Sequence, residues 1–266
     1  MTPASGPVLQ RSSALTRFIL APNPGPMSLE GTNSYVLRAP GNPGAVVVDP
    51  GPLDEAHLRA LAAAGPVDLI LITHRHADHT AGSARLHGLT GAPVRAADAV
   101  HCHGGGTPLQ DGEVLSAAGV EIRVLATPGH TSDSLCFHLP ADGSPGSVLT
   151  GDTILGRGTT MLDYPDGTLG GYLASLDRLE ALGPATVLPA HGPVLPSLAE
   201  TARAYHSHRL ERLAQIQGAL EVLGRDASAG EVAAVVYSDV DPSVRRAAET
   251  SVAAQLHYLR GGPARA

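Results

Sequence analysis

Four side chains able to bind a divalent cation fall within six residues of this chain: His74, His76, Asp78 and His79, in the run Thr73-His74-Arg75-His76-Ala77-Asp78-His79. The run follows Val67-Asp68-Leu69-Ile70-Leu71-Ile72, a nearly unbroken apolar stretch bounded upstream by Gly65-Pro66. A short apolar run of this kind reads as a buried strand. The imidazoles and the carboxylate therefore leave a strand end together, where one turn can aim them at one point. Such donors suit a borderline divalent ion such as zinc. A solvated histidine-rich turn is the plain alternative, disfavoured by what recurs downstream.

His130 stands in Ala126-Thr127-Pro128-Gly129-His130-Thr131, after the strand-like Val120–Leu125. Asp152 follows Val148-Leu149-Thr150-Gly151, and His191 follows Thr186-Val187-Leu188-Pro189-Ala190. Each is a metal-type residue just past a short apolar run. Strand ends that meet along one edge of a layered α/β fold form a site. Seven donors in all exceed one tetrahedral ion and suit two ions sharing a carboxylate. That is the arrangement of two-metal hydrolysis.

The pattern HxHxDH, followed by separate His, Asp and His residues, resembles the metallo-β-lactamase superfamily. The resemblance covers residues from about 14 to 195 and extends to Gly151 before Asp152 and Gly192 after His191. It implies a four-layer αββα sandwich. It implies that His74, His76 and His130 hold a first metal, that Asp78, His79 and His191 hold a second, and that Asp152 bridges both. Two zinc ions per chain are expected, with manganese or iron as alternatives. A water shared by two such ions ionises near neutral pH and serves as the nucleophile. Asp78 and Asp152 are the expected catalytic residues. Asp152 sets the metal separation, and Asp78 ligates and orients the nucleophile or shuttles a proton. Asp49, ending the strand-like Ala45–Val48, is a candidate to hold a ligand histidine from behind, or else a plain turn residue in Asp49-Pro50-Gly51.

The 266 residues suit one large domain, 1–195, and a smaller C-terminal module, 196–266. Strands are expected over Ala14–Leu20, Thr32–Arg38 and Ala45–Asp49, and helices over Asp54–Ala64, Ala77–Leu86 and Gly170–Leu182. From Pro196 the texture is helical. Ser197 is a candidate N-cap for a helix ending at Gly224, and Ser228-Ala229-Gly230-Glu231 opens a second helix to Val236. A third is expected from Asp241-Pro242 to about Arg260, with order ending at Gly261-Gly262-Pro263. His208-Arg209, Arg212 and Ile216, followed by Ala248 through Leu259, resemble the winged-helix end of the beta-lactamase-like protein 2 family. That family includes enzymes that cut single-stranded RNA.

Charge pulls the other way. Residues 1–200 hold 10 Arg against 18 acids, and residues 201–266 hold 8 Arg against 7. Nucleic-acid binding usually leaves a basic footprint, and the totals show none. A small cluster on the long helix, Arg203, Arg209 and Arg212, is a candidate phosphate contact or else a solvated face. His208 with Arg209 would line the cleft if that helix packs over it, whereas His206 reads as a surface histidine. Thr32-Asn33-Ser34, Thr159-Thr160 and Tyr164 are candidate substrate contacts near the mouth. Cys136 reads as a small core residue, and Cys102, in His101-Cys102-His103, as part of an exposed loop. Two cysteines without CxxC spacing give no disulfide framework.

No apolar stretch approaches the roughly 18 residues needed to cross a bilayer, and Met1–Pro7 lacks a signal-peptide pattern. A cytoplasmic protein is expected, with oligomeric state open and a homodimer as one option. The function expected first is a dinuclear zinc hydrolase cutting phosphodiesters of single-stranded RNA, as an endoribonuclease. The alternative is a small-molecule hydrolase of a thioester, as in glyoxalase II, or of a lactone or β-lactam. An iron oxygenase acting on persulfides needs one metal with open sites, which a complete second donor set opposes. A retired, non-enzymatic site is opposed by the same completeness.

Overall fold

The computed structural model describes residues 8–238 and 245–261. Two mixed sheets stack face to face with helices on both outer sides. The first sheet runs in the order β1 (Gln10–Arg11), β2 (Thr16–Leu20), β3 (Asn33–Leu37), β4 (Ala45–Val48), β5 (Val67–Leu71) and β6 (Val94–Arg95). The second is the meander β7 (Val114–Ala117), β8 (Val120–Ala126), β9 (Leu135–Leu139), β10 (Ser147–Gly151), closed by β11 (Thr186–Pro189) parallel to β10. Strands β4, β5 and β6 pair in parallel. The residues of β4 are all buried, as a strand covered on both faces demands.

Three apolar layers separate the four structural ones. Leu37, Val46, Leu71, Ile122, Phe137 and Leu149 meet between the sheets. Outside the first sheet, Val47 and Ile70 pack against Leu58 and Leu61 of α1 (Glu55–Ala62) and Leu86 of α3 (Ser83–Thr90). Outside the second, Val148 and Val187 meet Tyr172 and Leu176 of α4 (Leu169–Glu180) and Leu198 and Ala202 of α5 (Leu198–Leu223). This is the αββα sandwich expected.

Capping follows local chemistry. Asp54 accepts from His57 N, Thr168 from Gly171 N and Ser197 from Glu200 N, each satisfying a donor the helix itself leaves free. Helix α5 stops at Gly224, whose φ of 97° suits glycine. Ser228 and Glu231 form a reciprocal capping box at the start of α6 (Ala229–Val236). With α7 (Arg245–Leu259), these helices build a fourth apolar cluster around Ile216, Val232, Val252 and Leu256. Helix α5 belongs to both packings, since Leu213 faces the sheet-side cluster and Ile216 the helical one. Among the described residues this region is all helix, with no strand to form a wing. The expected helix start at Asp241-Pro242 and the Gly262-Pro263 end lie outside the described residues.

One expectation fails. The helix over Ala77–Leu86 is broken into α2 (Ala77–Thr80) and α3 by Gly82. There a Cβ would lie 2.7 Å from Leu58 Cδ2 and 3.1 Å from the Gly51 and Pro52 carbonyls. Close packing against α1 overrides helical periodicity. Cys102 lies in the exposed loop expected, but its own side chain is half-buried against the first sheet's outer layer, with the thiol facing the Ala96 and Asp98 carbonyls.

The sheets also clasp at one edge. Asn33 N donates to Ala190 O (2.7 Å), and Leu135 N donates to Thr73 O (2.8 Å). Both bonds lie where ligand-type residues leave their strands.

Candidate metal centre

All seven predicted donors converge on that edge. Thr73 through His79 follow β5 and run into α2, His130 sits in the β8–β9 loop, Asp152 follows β10, and His191 follows β11. They form two groups, His74/His76/His130/Asp152 and Asp78/His79/His191, with donor atoms in each group within 4.8 Å of one another. Asp152 spans the gap between them. Its Oδ2 lies 3.7 Å from His130 Nε2, while its Oδ1 lies 3.3 Å from His191 Nε2 and 3.6 Å from His79 Nε2. Asp78 Oδ2 completes the second group, 3.3 Å from His191 Nε2 and 3.6 Å from His79 Nε2.

Every imidazole has its far nitrogen occupied, which sets its tautomer. His79 Nδ1 donates to Asp49 Oδ2 (2.8 Å), His191 Nδ1 to Gly31 O (3.1 Å), and His130 Nδ1 to Met161 O (2.7 Å). His74 Nδ1 donates to Thr73 Oγ1 (3.1 Å), whose own hydroxyl donates to Asp49 Oδ2 (2.7 Å). His76 is turned the other way: its Nε2 donates to Asp163 Oδ2 (3.1 Å), leaving Nδ1 inward. Asp163 is itself clamped by Arg75, which also reaches Asp166 (3.2 Å).

The inward atoms are then bare acceptors crowded together. His76 Nδ1 lies 2.9 Å from His74 Nε2 and 3.1 Å from His130 Nε2. The buried His79 Nε2, His191 Nε2 and Asp152 Oδ1 have no hydrogen-bond partner among the described residues. Buried polar atoms of a folded protein normally find one. Lone pairs facing each other at these distances repel unless a cation lies among them. The donor set therefore fits divalent metal, with imidazole and carboxylate ligands, a carboxylate facing both groups and held outer nitrogens.

Electrostatics agree. Burial, followed by the neighbouring imidazoles, holds His74 well below its ordinary pKa, and burial likewise lowers His130. Burial also opposes charge on His79, but Asp49 and Asp152 outweigh it and raise the ring to about 10. His191 is raised as well, Asp152 and Asp78 overcoming its burial. Asp78 is held low by His191 and His79 despite burial. The carboxylates thus call for positive charge in the second group, which a proton or a metal ion can supply.

Backbone geometry brings the donors close. Gly151 has φ 50°, and a Cβ there would lie 2.8 Å from Thr73 Cβ. Gly129 has φ 144°, and a Cβ there would lie 2.3 Å from the Tyr172 Cα, so the His130 loop rests directly on α4. Tyr172 in turn donates its hydroxyl to Thr153 O (2.7 Å), beside Asp152.

A model of the metallo-beta-lactamase superfamily matches residues 27–191, well over half the chain and all seven donors. The chain belongs to the metallo-β-lactamase superfamily. It is 29% identical to a beta-lactamase-like protein 2 homolog of Caenorhabditis elegans, covering 95% of this chain and 86% of that protein. It is 32% identical to an atrochrysone carboxyl ACP thioesterase of Aspergillus fumigatus, covering 78% of this chain and 65% of that enzyme. The chain thus spans about two thirds of the length of that fungal relative. In three dimensions it is similar to a metallo-beta-lactamase family protein from Thermus thermophilus (TM-score 0.76, 26% identity, covering 92% and 93% of the two chains).

Within this superfamily fold a cleft of about 310 Å³ opens from His130 and Asp152 and is roofed by the C-terminal helices. Thr159, Thr160, His208, Arg209 and Arg212 line it, as the sequence led us to expect for the first four. Other expectations need correction. Thr32, Asn33 and Ser34 are buried and face inward rather than toward substrate. Asn33 Nδ2 donates to Pro189 O (3.0 Å) and Gly192 O (2.9 Å), bracing the His191 loop, and Thr32 Oγ1 donates to Asp78 O (3.1 Å). Tyr164 packs beside His257 of α7, with ring centroids 5.5 Å apart, and is not among the cleft-lining residues. Arg203 is paired with Glu180 (3.0 Å), so it forms no cluster with Arg209 and Arg212. Sequence reasoning missed Asp163 and the Gly31 and Met161 carbonyls. Asp163 lies far from the histidines along the chain, and a carbonyl has no residue type to betray it.

Proposed function

We propose that the chain is a dinuclear metal-dependent hydrolase of small acyl compounds, thioesters first among them. The observation that carries this reading is the Asp152 carboxylate, one oxygen toward each donor group, beside buried imidazole nitrogens without partners. Zinc is the expected metal, with manganese or iron as alternatives. Two such ions would supply a water ionised near neutrality and polarise the acyl oxygen. The chain's own contribution is placement. Asp49 and the Gly31 carbonyl fix the rings of His79 and His191, and Asp163 fixes His76. Asp78, the more exposed of the two carboxylates and ionised at neutral pH, would orient the nucleophile and pass a proton to the leaving group. A cleft of this size suits a small substrate, and the similarity to a thioesterase supports the acyl class.

The phosphodiester reading retains one observation, Arg209 and Arg212 in the cleft wall. The excess of acids over arginines in residues 1–200 weighs against a polyanion. Metal analysis of the purified protein, followed by assays on an acyl thioester, a lactone, nitrocefin and single-stranded RNA, decides between them. Thioester turnover abolished in His76→Ala is the expected result. Metal-dependent RNA cleavage without acyl turnover would overturn it.

A further inference from the structure

The cleft wall contributed by α5 differs in charge from the rest of the molecule. The chain has a formal charge of −7, yet the cleft-lining residues include three arginines and one acid, Asp152. Arg157 at the rim is neutralised by Glu30 (2.5 Å). Arg209 and Arg212 are not: among the described residues neither pairs with a carboxylate.

Arg209 is the sharper case. It is 2% exposed, donates to the Thr160 carbonyl and stacks 5.0 Å above the Tyr172 ring, but its Nε has no partner among the described residues. Arg212 stacks 4.8 Å from the Tyr237 ring and, among the described residues, bonds only Gln215 Oε1 (2.7 Å). His208, beside them on the cleft side, has a buried Nδ1 without a partner among the described residues. Burial and the two adjacent guanidinium groups push its pKa down, so it faces the cleft as a neutral imidazole with one N–H to donate. A buried cation without a counter-ion is unfavourable unless something pairs with it. Aromatic faces and a carbonyl answer part of that demand. An oxyanion in the cleft would answer the rest, with the bidentate geometry that guanidinium favours.

We infer that His208, Arg209 and Arg212 form an anion-recognition wall, so that the substrate is a small acyl compound carrying its own carboxylate. This rests on the acyl-hydrolase reading for the scissile bond, but the wall itself is testable without turnover. Two size-matched N-acetylcysteamine thioesters, glutaryl and pentanoyl, differ chiefly in the terminal charge. The wild-type chain, with its metals, is expected to favour the glutaryl thioester by at least about tenfold in kcat/KM, the worth of a charge-assisted hydrogen bond. In Arg212→Gln and His208→Gln that ratio should fall toward one, through KM of the anionic substrate. Arg209 supports the Thr160 loop, so Arg209→Met serves only as a third arm if it folds.

Equal turnover of both thioesters by the wild type, or a ratio unmoved in the variants, overturns the wall. If neither thioester is hydrolysed, the acyl reading fails on its own. Calorimetric titration with glutarate then still decides the wall: binding weakened about tenfold in both variants supports it, and unchanged binding rejects it. Displacement of glutarate by single-stranded RNA, with cleavage of that RNA, would reassign the wall to phosphodiesters and overturn the acyl assignment.

Discussion

The donor cluster and the helical roof face the same cleft but are built on opposite terms. Around the donors each imidazole is held from behind, by Asp49, Thr73, Gly31, Met161 or Asp163, and only the inward atoms lack partners. On the roof the bodies of Arg209 and Arg212 are packed on aromatic rings while their charges go unanswered by any acid among the described residues. One region has its geometry settled before anything binds, as chemistry at a fixed centre requires. The other has its cations settled and, among the described residues, no anion beside them, as selection among substrates requires. On the proposed reading, reaction and recognition reside in separate stretches of chain, and substitutions should divide accordingly.

The largest expected effect is on the donors. His76→Ala should lower bound metal and cut turnover by well over about 100-fold, because even outer partners of a ligand are worth about 10–100-fold. Metal analysis with steady-state kinetics checks it, and full metal content in the variant would break the comparison. Treatment with a chelator should have the same effect and be reversed by added metal.

Next is acid stability behind the donors. His57, buried and bonded to Ser34 (2.8 Å), is held by burial at about 4 despite the opposing pull of Asp54. Its folded pKa lies below the unfolded value of about 6.5, so the unfolded chain takes up the proton first. Stability is then intact above about pH 6.5 and falls by about 3 kcal/mol as pH drops toward 4. Denaturant titrations of the chelated protein across that range should show a shallower fall in His57→Gln.

Asp49→Asn sharpens the contrast further. It keeps the shape but weakens the hold on His79, and metal affinity should drop about 10–100-fold with the fold intact. An unchanged affinity would remove the claim that the rings are positioned from behind. The smallest effect belongs to the roof. Tyr205 of α5 both donates to Leu155 O and accepts from Leu155 N, each at 3.1 Å. Tyr205→Phe should cost about 1–2 kcal/mol of stability, the worth of a buried pair left unmade, and should leave metal content alone.

Legibility from sequence tracked how local the physics is. The donors and the strands before them were readable because apolar runs ending in His or Asp announce both at once. Caps at Ser197 and Ser228 were readable because a hydroxyl three residues before Glu has one common use. Strands β1 and β6, two residues each, and the half-exposed β7 carry no run long enough to signal. The break at Gly82 depends on α1 lying across it, a contact between distant segments. The role of Asn33 as a brace, rather than a substrate contact, depends on the β11 end reaching β3. Asp163 and the carbonyl acceptors are tertiary facts of the same kind.

Helix α4 carries a consequence for recombination. Tyr172 lies under the His130 loop through Gly129, supports the turn after Asp152 through its hydroxyl, and offers its ring face to Arg209. A chimera that grafts a foreign tail after residue 195 would strip that ring of its cation. The loss would register at His130 and Asp152 although neither had been exchanged. Swapping tails to retarget this hydrolase therefore means transplanting the tyrosine's neighbourhood as one inherited unit.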